Sequence, residues 1–459
     1  MQKLKRPDGS GCPYPERILQ FGEGNFLRAF VDWMTDRLNK ESDWKGSVVI
    51  VQPLPDGNAA ALNEQDGLYT LCLRGLKDGV PAEETRVVEC VSRCINPYED
   101  WNAFIACALN PGLRFIVSNT TEAGVEYKAG QNPADTSGIT FPARLTLFLK
   151  ARFESGNPGF ILFPCELIDK NGAALKSCVL KYAEEWKLGD AFVRWVNAEN
   201  HFTNTLVDRI TTGYPKETAA ELEAAFGYRD AAIDTAELFH LWVIEGDKKY
   251  AGEIPFHKYG MNVLWTDDVT PYKKRKVRLL NGAHTMSVPA ARLAGIRTVG
   301  EMMDDPVFSA YLKDGLYREI IPTLGMPEAE LTSFAADVLE RFRNPFIKHY
   351  LSSITLNSVP KFKERVLPSV LGYYDGTGAL PPRLTFSLAA LIAFYKTGEP
   401  NDGADVMKFL KEAPPAEILP DKELWGRDLS FMTNAVNAAL DGIKTKGIKA
   451  MTEEINLSC

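Results

Sequence analysis

The 459-residue chain has no apolar stretch of membrane-spanning length, and no basic segment followed by an apolar run opens it. A helix needs about 20 mostly apolar residues to cross a bilayer, so neither a membrane partner nor a secretory leader is expected. Positive charge is not in excess either: 52 basic residues face 60 acidic ones, a formal net charge of -8. Binding a nucleic acid requires a clustered cationic surface, so no nucleic-acid partner is expected, and the dense basic run "KKRK" at 273–276 needs another explanation. The eight cysteines are scattered, and the closest pair, Cys90 and Cys94, has no second pair to complete a structural zinc site. No metal is expected, and the sequence reads as that of a reduced, cytoplasmic protein.

What is present is ordinary in bulk and informative in order. An apolar share of 45% and a charged share of 24% suit a globular protein with its own core, and the length suggests two or three domains. The first half alternates apolar strand candidates with helical stretches. The strands are "RILQFG", "SVVIVQPL", "YTLCLRG", "RVVECVS", "RFIVSNTT" and "FILFPCEL"; the helices include "FLRAFVDWMTDRLNK" and "PARLTLFLKARFES". Strands that are apolar without alternating are buried on both faces. The fold class is therefore α/β: a Rossmann-type, doubly wound, mainly parallel sheet over residues 1–266. From about residue 267 apolar residues recur at three- and four-residue steps, as in "EAELTSFAADVLERF" and "RLTFSLAALIAFYK", which predicts an all-helical domain over 267–459.

Two places carry chemistry. In "RILQFGEGNFLRAF" Gly22 and Gly24 follow the first strand and precede a helix, an arrangement that aims helix N-terminal amides at a pyrophosphate. The third glycine of the usual fingerprint is missing, so a plain tight turn is the competing reading. The second strand ends in Val51-Gln52-Pro53 where a dinucleotide fold usually has an acid. Asp56 follows shortly and no arginine is present to receive a 2′-phosphate, which favours NAD as the cofactor. In "KVRLLNGAH", Lys276, Asn281 and His284 fall within an arc of roughly 140° on a regular helix. A lysine, an amide and an imidazole on one face could reduce a carbonyl: Lys276 exchanges the proton, Asn281 donates to the developing alkoxide, and His284 orients the substrate. Base work requires the lysine to titrate nearer neutrality, through burial and the cations Lys273, Lys274 and Arg275. A basic helix start with a structural histidine is the alternative.

Several of these stretches, with "LNEQDGLYTL", "VSNTTEAG", "FTNTLVDRIT", "LWVIEG", "RNPFIKHYL" and "VPKF", occur in the order found in the mannitol dehydrogenase family of polyol-specific long-chain dehydrogenases. The chain resembles that family through most of its length, most specifically at the K-x4-N-x2-H segment. The resemblance implies a Rossmann-type and a helical domain and a metal-independent, NAD-dependent reaction. It also implies Lys276 as general acid/base, Asn281 as oxyanion partner and His284 as substrate ligand. Gly22, Glu23, Gly24, Asn25 and Phe26, with Thr120, Thr121 and Glu122, are implied as the cofactor-binding segments, and Asp208 as a residue near the substrate.

Two departures bear on specificity. Leu167 in "PCELID" stands where family members carry a second oxyanion asparagine, and Lys273 stands where they carry an acid. The greatest likeness is to members that interconvert tagaturonate and altronate, so a hexuronate or aldonate is the expected substrate; fructuronate and neutral polyols such as mannitol are the alternatives. A buried carboxylate needs a cationic partner. The candidates are Lys361 first, then His349 and Lys273.

Overall fold

The structure, a computed structural model, describes residues 1–7 and 10–457, the side chain of Glu122 apart. The chain divides into two compact units. One comprises Met1–Arg74 and Ala82–Val269; the other runs from Thr270 onward and also takes in Gly75–Pro81.

The strands of the first unit are β1 (Glu16–Phe21), β2 (Ser47–Val51), β3 (Tyr69–Lys77), β4 (Val80–Val88), β5 (Val91–Ile95) and β6 (Phe115–Ser118), with the ends of β3 and β4 reaching into the segment assigned to the second unit. They continue as β7 (Ile161–Pro164), β8 (His201–Phe202), β9 (Asn204–Asp208), β10 (Asp234–Glu237), β11 (Leu241–Glu245) and β12 (Val263–Thr266). A six-stranded sheet in the order β5-β2-β1-β6-β7-β8 is parallel throughout. Side-chain alternation divides its apolar residues between two cores. Ile18, Val48, Ile50, Val117 and Phe163 face one; Leu19, Phe21, Val49, Val51, Ile116 and Leu162 face the other. Both faces are covered, which is why these strands read as unbroken apolar runs.

The smaller sheets, β10-β3-β4 and β12-β11-β9, depart from the sequence reading. "RVVECVS", expected as one strand, is the end of β4 and the start of β5, which belong to different sheets. The junction is made by hydrogen bonds rather than by a turn residue: the Glu89 amide donates to Asp36 Oδ1 at 3.0 Å, and the Val48 amide to the Cys90 carbonyl at 2.9 Å. β10, "DTAE", is buried but polar and gives no strand signal.

That polarity serves a buried charged network. Arg28 donates to the Ala232 carbonyl at 2.6 Å and lies 3.8 Å from Asp234 Oδ2, while Asp32 accepts from Gln20 Nε2 and Tyr69 Oη at 3.4 and 3.3 Å. Burial outweighs the attraction of Arg28 and pushes Asp32 up to about 7 and Asp234 up to about 6. The folded chain then holds protons that the unfolded chain has released above an ordinary carboxyl pKa of 3.8. Stability should therefore fall as pH rises from about 4, by about 1.4 kcal/mol per pH unit for each such proton, until about 6 for Asp234 and about 7 for Asp32. Asp32→Asn should flatten the melting temperature against pH over that window relative to wild type. Parallel curves would mean that Asp32 is ionised throughout.

In the second unit the expected helical stretches at 328–342 and 383–396 are regular α-helices, and the others contain π or 3-10 turns. Pro382–Thr397 is buried at every position from Arg383 to Tyr395, as a helix apolar on all sides must be. Glu319 closes its N-terminus, accepting from the backbone amides of Arg383 and Leu384 at 3.0 and 2.9 Å and pairing with the Arg383 guanidinium at 3.2 Å. Those amides would otherwise lack partners.

Candidate functional site

In the first unit, β1 ends at Phe21 and a helix begins at Asn25. The two glycines between them serve different ends. Gly22 has φ +127°, and a Cβ there would lie 3.2 Å from the Asn119 carbonyl oxygen and 3.3 Å from Leu27 Cδ1, so backbone and packing both demand glycine. Gly24 has an ordinary φ of -68°, and nothing lies within 4 Å of where its Cβ would be. No feature of the fold requires glycine at 24. Its missing side chain leaves the helix N-terminus open, as close approach of a pyrophosphate requires.

The other residues of the turn are fixed by the protein. Arg28 is buried and donates to the Glu23 carbonyl at 3.1 Å and to Asn25 Oδ1 at 3.0 Å; it braces the turn from behind. The Phe26 ring stacks on Phe30 with centroids 4.9 Å apart. Glu23 is buried with Oε2 unpartnered, and burial raises its pKa. Gln52, at the end of β2, donates to the carbonyls of Leu54 and Pro55 at 2.8 and 2.9 Å, so it shapes the following loop, on which Asp56 is exposed.

At the end of β6, Thr120 donates through its amide and Oγ1 to Glu166 Oε1 at 3.0 and 3.1 Å, and Ser118 Oγ donates to Glu166 Oε2 at 3.1 Å. Glu166 is buried, and burial raises its pKa. This brace holds the loop on which Thr121 adopts φ +74°, an unusual conformation for a β-branched residue. The sequence reading missed Glu166, which lies in the "PCELID" segment already singled out. Its neighbour Leu167 is exposed. The Glu122 side chain lies outside the described residues. Asp208 ends β9, buried, opposite Leu241 of β11.

In the second unit, Lys276, Asn281 and His284 lie on one continuous helical run, as the spacing predicts, but the run is not a regular α-helix. Thr270–Lys276 is α-helical, Val277–Asn281 is a π turn, and Gly282–Leu293 is α-helical again. The Gly282 amide donates to the Val277 carbonyl, five residues back. A π turn holds more residues than an α turn, so each advances by less than 100° and the arc containing the three side chains is narrower than a regular helix gives. No residue pattern announces such a turn. Lys273 and Lys276 are both half-buried. The Asn281 side chain, also half-buried, makes no hydrogen bond to a described residue.

His284 stacks on Phe342 with centroids 4.1 Å apart and meets His349 edge-on at 5.1 Å. Its Nε2 is sealed from solvent and has no hydrogen-bond partner among the described residues. Burial first, then the neighbouring His349, Arg341, Arg365 and Lys361, hold His284 well below the usual imidazole range, so the ring is neutral; burial lowers the pKa of His349 as well. Two of the candidate cations, His349 and Lys361, thus lie in its surroundings. Arg341 and Arg365 were missed, although Arg365 stands four residues after Lys361, one helical turn on. Among the described residues no cluster of three or more histidine, cysteine or acidic side chains could hold a metal ion.

These features have counterparts in known proteins. The mannitol dehydrogenase Rossmann domain matches residues 16–258 and the mannitol dehydrogenase C-terminal domain residues 268–444. Altronate oxidoreductases of Escherichia coli strains O6:K15:H31 and K12 are 46% identical over 476 aligned residues, covering 98% of this chain and 99% of each relative. Among solved structures, D-sorbitol dehydrogenase in substrate-free form has a TM-score of 0.83 at 24% identity, over 96% of each chain, a likeness of fold. Pseudomonas fluorescens mannitol 2-dehydrogenase, solved as a ternary complex with NAD and D-mannitol, has a TM-score of 0.71 at 25% identity, over 97% of this chain and 95% of its own. The open glycine turn and the lysine–asparagine–histidine helix thus fall inside two domain matches that together take in most of the sequence, and the chain belongs to the mannitol dehydrogenase family.

Proposed function

We propose that the chain is an NAD-dependent altronate oxidoreductase that interconverts D-tagaturonate and D-altronate. The oxidoreductase class follows from the family. The choice of an acidic substrate is carried by one observation: the neutral imidazole of His284, whose Nε2 has no hydrogen-bond partner among the described residues, lies in the field of the cations Arg341, Arg365 and Lys361. The hydroxyls of a neutral polyol can accept hydrogen bonds from such groups but do not offset their charge; a hexuronate carboxylate does. The relatives named altronate oxidoreductase support the same choice.

NAD, when bound, supplies or accepts the hydride. The bare Gly24 and the helix start behind it suit its pyrophosphate, and the Glu166 brace sets the loop at the end of β6. In the reducing direction Lys276 gives its proton to the keto oxygen as the hydride reaches the keto carbon, and in the oxidising direction it takes the hydroxyl proton back. Asn281 donates to that oxygen while it carries negative charge. His284, neutral, exchanges hydrogen bonds with a substrate hydroxyl. Loss of NADH absorbance with tagaturonate, fructuronate and fructose tests the reading. Tagaturonate should be reduced with the highest kcat/KM, and equally efficient turnover of fructose would reject the uronate assignment.

Asp56 is the carboxylate nearest beyond β2, and it is exposed. As an acceptor for the ribose hydroxyls it should matter to NAD alone. Asp56→Ala is expected to raise the NAD KM and lower the NAD/NADP preference. If neither changes, Asp56 is a turn residue.

A further inference from the structure

We infer that Arg365 and Lys361, one turn apart on the helix Ser358–Arg365, form a two-pronged clamp for the substrate carboxylate beside His284, with Arg365 as the principal contact. The inference rests on the acidic-substrate reading above and adds the residues that select for it.

Four observations converge. Residues four apart on a helix share a face, so the two cations are presented together. The end of that helix approaches the turn that carries Asn281: a Cβ on Gly282 would lie 3.1 Å from the Arg365 carbonyl oxygen, so the glycine of "LLNGAH" permits this close contact. Lys361 Nζ donates to the Ile354 carbonyl at 3.0 Å, which fixes the ammonium and leaves two of its hydrogens for another acceptor. The Arg365 guanidinium is half-buried and has neither a hydrogen-bonded acceptor nor an ion pair among the described residues. Arg341, the other buried cation, acts on Asp337; Glu364 acts likewise on Arg365 and Asp402 on Lys361, but burial outweighs both and lowers the two cations' pKa.

A partly desolvated guanidinium without an acceptor, whose charge also bears on the sealed imidazole of His284, is a costly arrangement for a fold to keep. One bound carboxylate relieves it, because the planar fork of arginine matches both carboxylate oxygens. Burial lowers the pKa of both Arg365 and Lys361, as it does for cations held out of water without full compensation. The clamp thus selects for the carboxylate end of the substrate and leaves proton exchange to Lys276.

The test uses the full-length enzyme with NADH and two substrates, tagaturonate and the uncharged ketohexose tagatose. Arg365→Gln should lower kcat/KM for tagaturonate by about tenfold to a hundredfold, chiefly through KM, and change kcat/KM for tagatose little. Arg365→Lys, which keeps the charge without the fork, should fall between. A second measurement needs no turnover: altronate should raise the wild-type melting temperature more than the corresponding alditol does, and Arg365→Gln should remove most of the difference. Equal losses on both substrates, or an altronate effect undiminished in the variant, would overturn the clamp. Failure of the wild type to reduce any uronate would instead overturn the substrate reading itself.

Discussion

Replacing Lys276 with alanine should lower kcat by about 10²- to 10⁴-fold, the usual worth of a positioned general acid/base, while NADH binding measured by fluorescence stays near wild type. The helix explains why the loss should be chemical. Lys276 is the last residue of the α-helical run Thr270–Lys276 and is half-buried. Alanine is the best helix former, so the backbone has no reason to change. The wild-type pH–rate profile should show an ionisation that the variant lacks. Lys276→Arg sharpens the point, since arginine keeps the positive charge but cannot surrender its proton in this range. It should be about as slow as the alanine variant if proton exchange is the role, and much faster if the role is only to supply charge. A fall of less than about fivefold in Lys276→Ala would mean that the proton comes from another group.

How much of this could be read from the sequence depended on whether a physical cause leaves a residue pattern. β1, β2, β6 and β7 are buried on both faces, so their composition is uniformly apolar and they stand out. β10 is equally buried, but its Asp234 answers Arg28, and a strand built to meet a buried cation looks like a loop. "RVVECVS" hid the passage from one sheet to another because side-chain and backbone hydrogen bonds, not glycine or proline, make the junction. The glycine turn was legible in position but not in detail: Gly22 is required by its own φ, whereas Gly24 is required only if something must approach it. On the helix that carries Lys276, Asn281 and His284 the residue types and their order were visible, and the π turn was not, because shifting a hydrogen bond from four to five residues back changes no composition. Of the cations around His284, Lys361 and His349 had been singled out. Arg365 follows from the same helical spacing once Ser358–Arg365 is known to be a helix.

That π turn underlies the second large effect. Asn281→Ala should cost on the order of 10²- to 10³-fold in kcat, the range for loss of one oxyanion donor. In a turn closed by a bond between residues five apart, positions 276 and 281 lie nearly above one another, so in the proposed roles Lys276 and the Asn281 amide can address the same substrate oxygen. The Asn281 amide has no hydrogen bond to a described residue, and its removal strands no buried partner; the melting temperature should barely move. The loss should fall on kcat more than on KM, because the amide binds the oxygen most strongly when that oxygen carries charge. Asn281→Asp separates donation from shape. Aspartate fills nearly the same space but, when ionised, only accepts, and it sets a negative charge against the developing alkoxide, so it should be at least as slow as the alanine variant. If the aspartate variant retained wild-type kcat, Asn281 could not be the donor. The narrowed arc of Lys276, Asn281 and His284 would then have to be explained by helix packing alone.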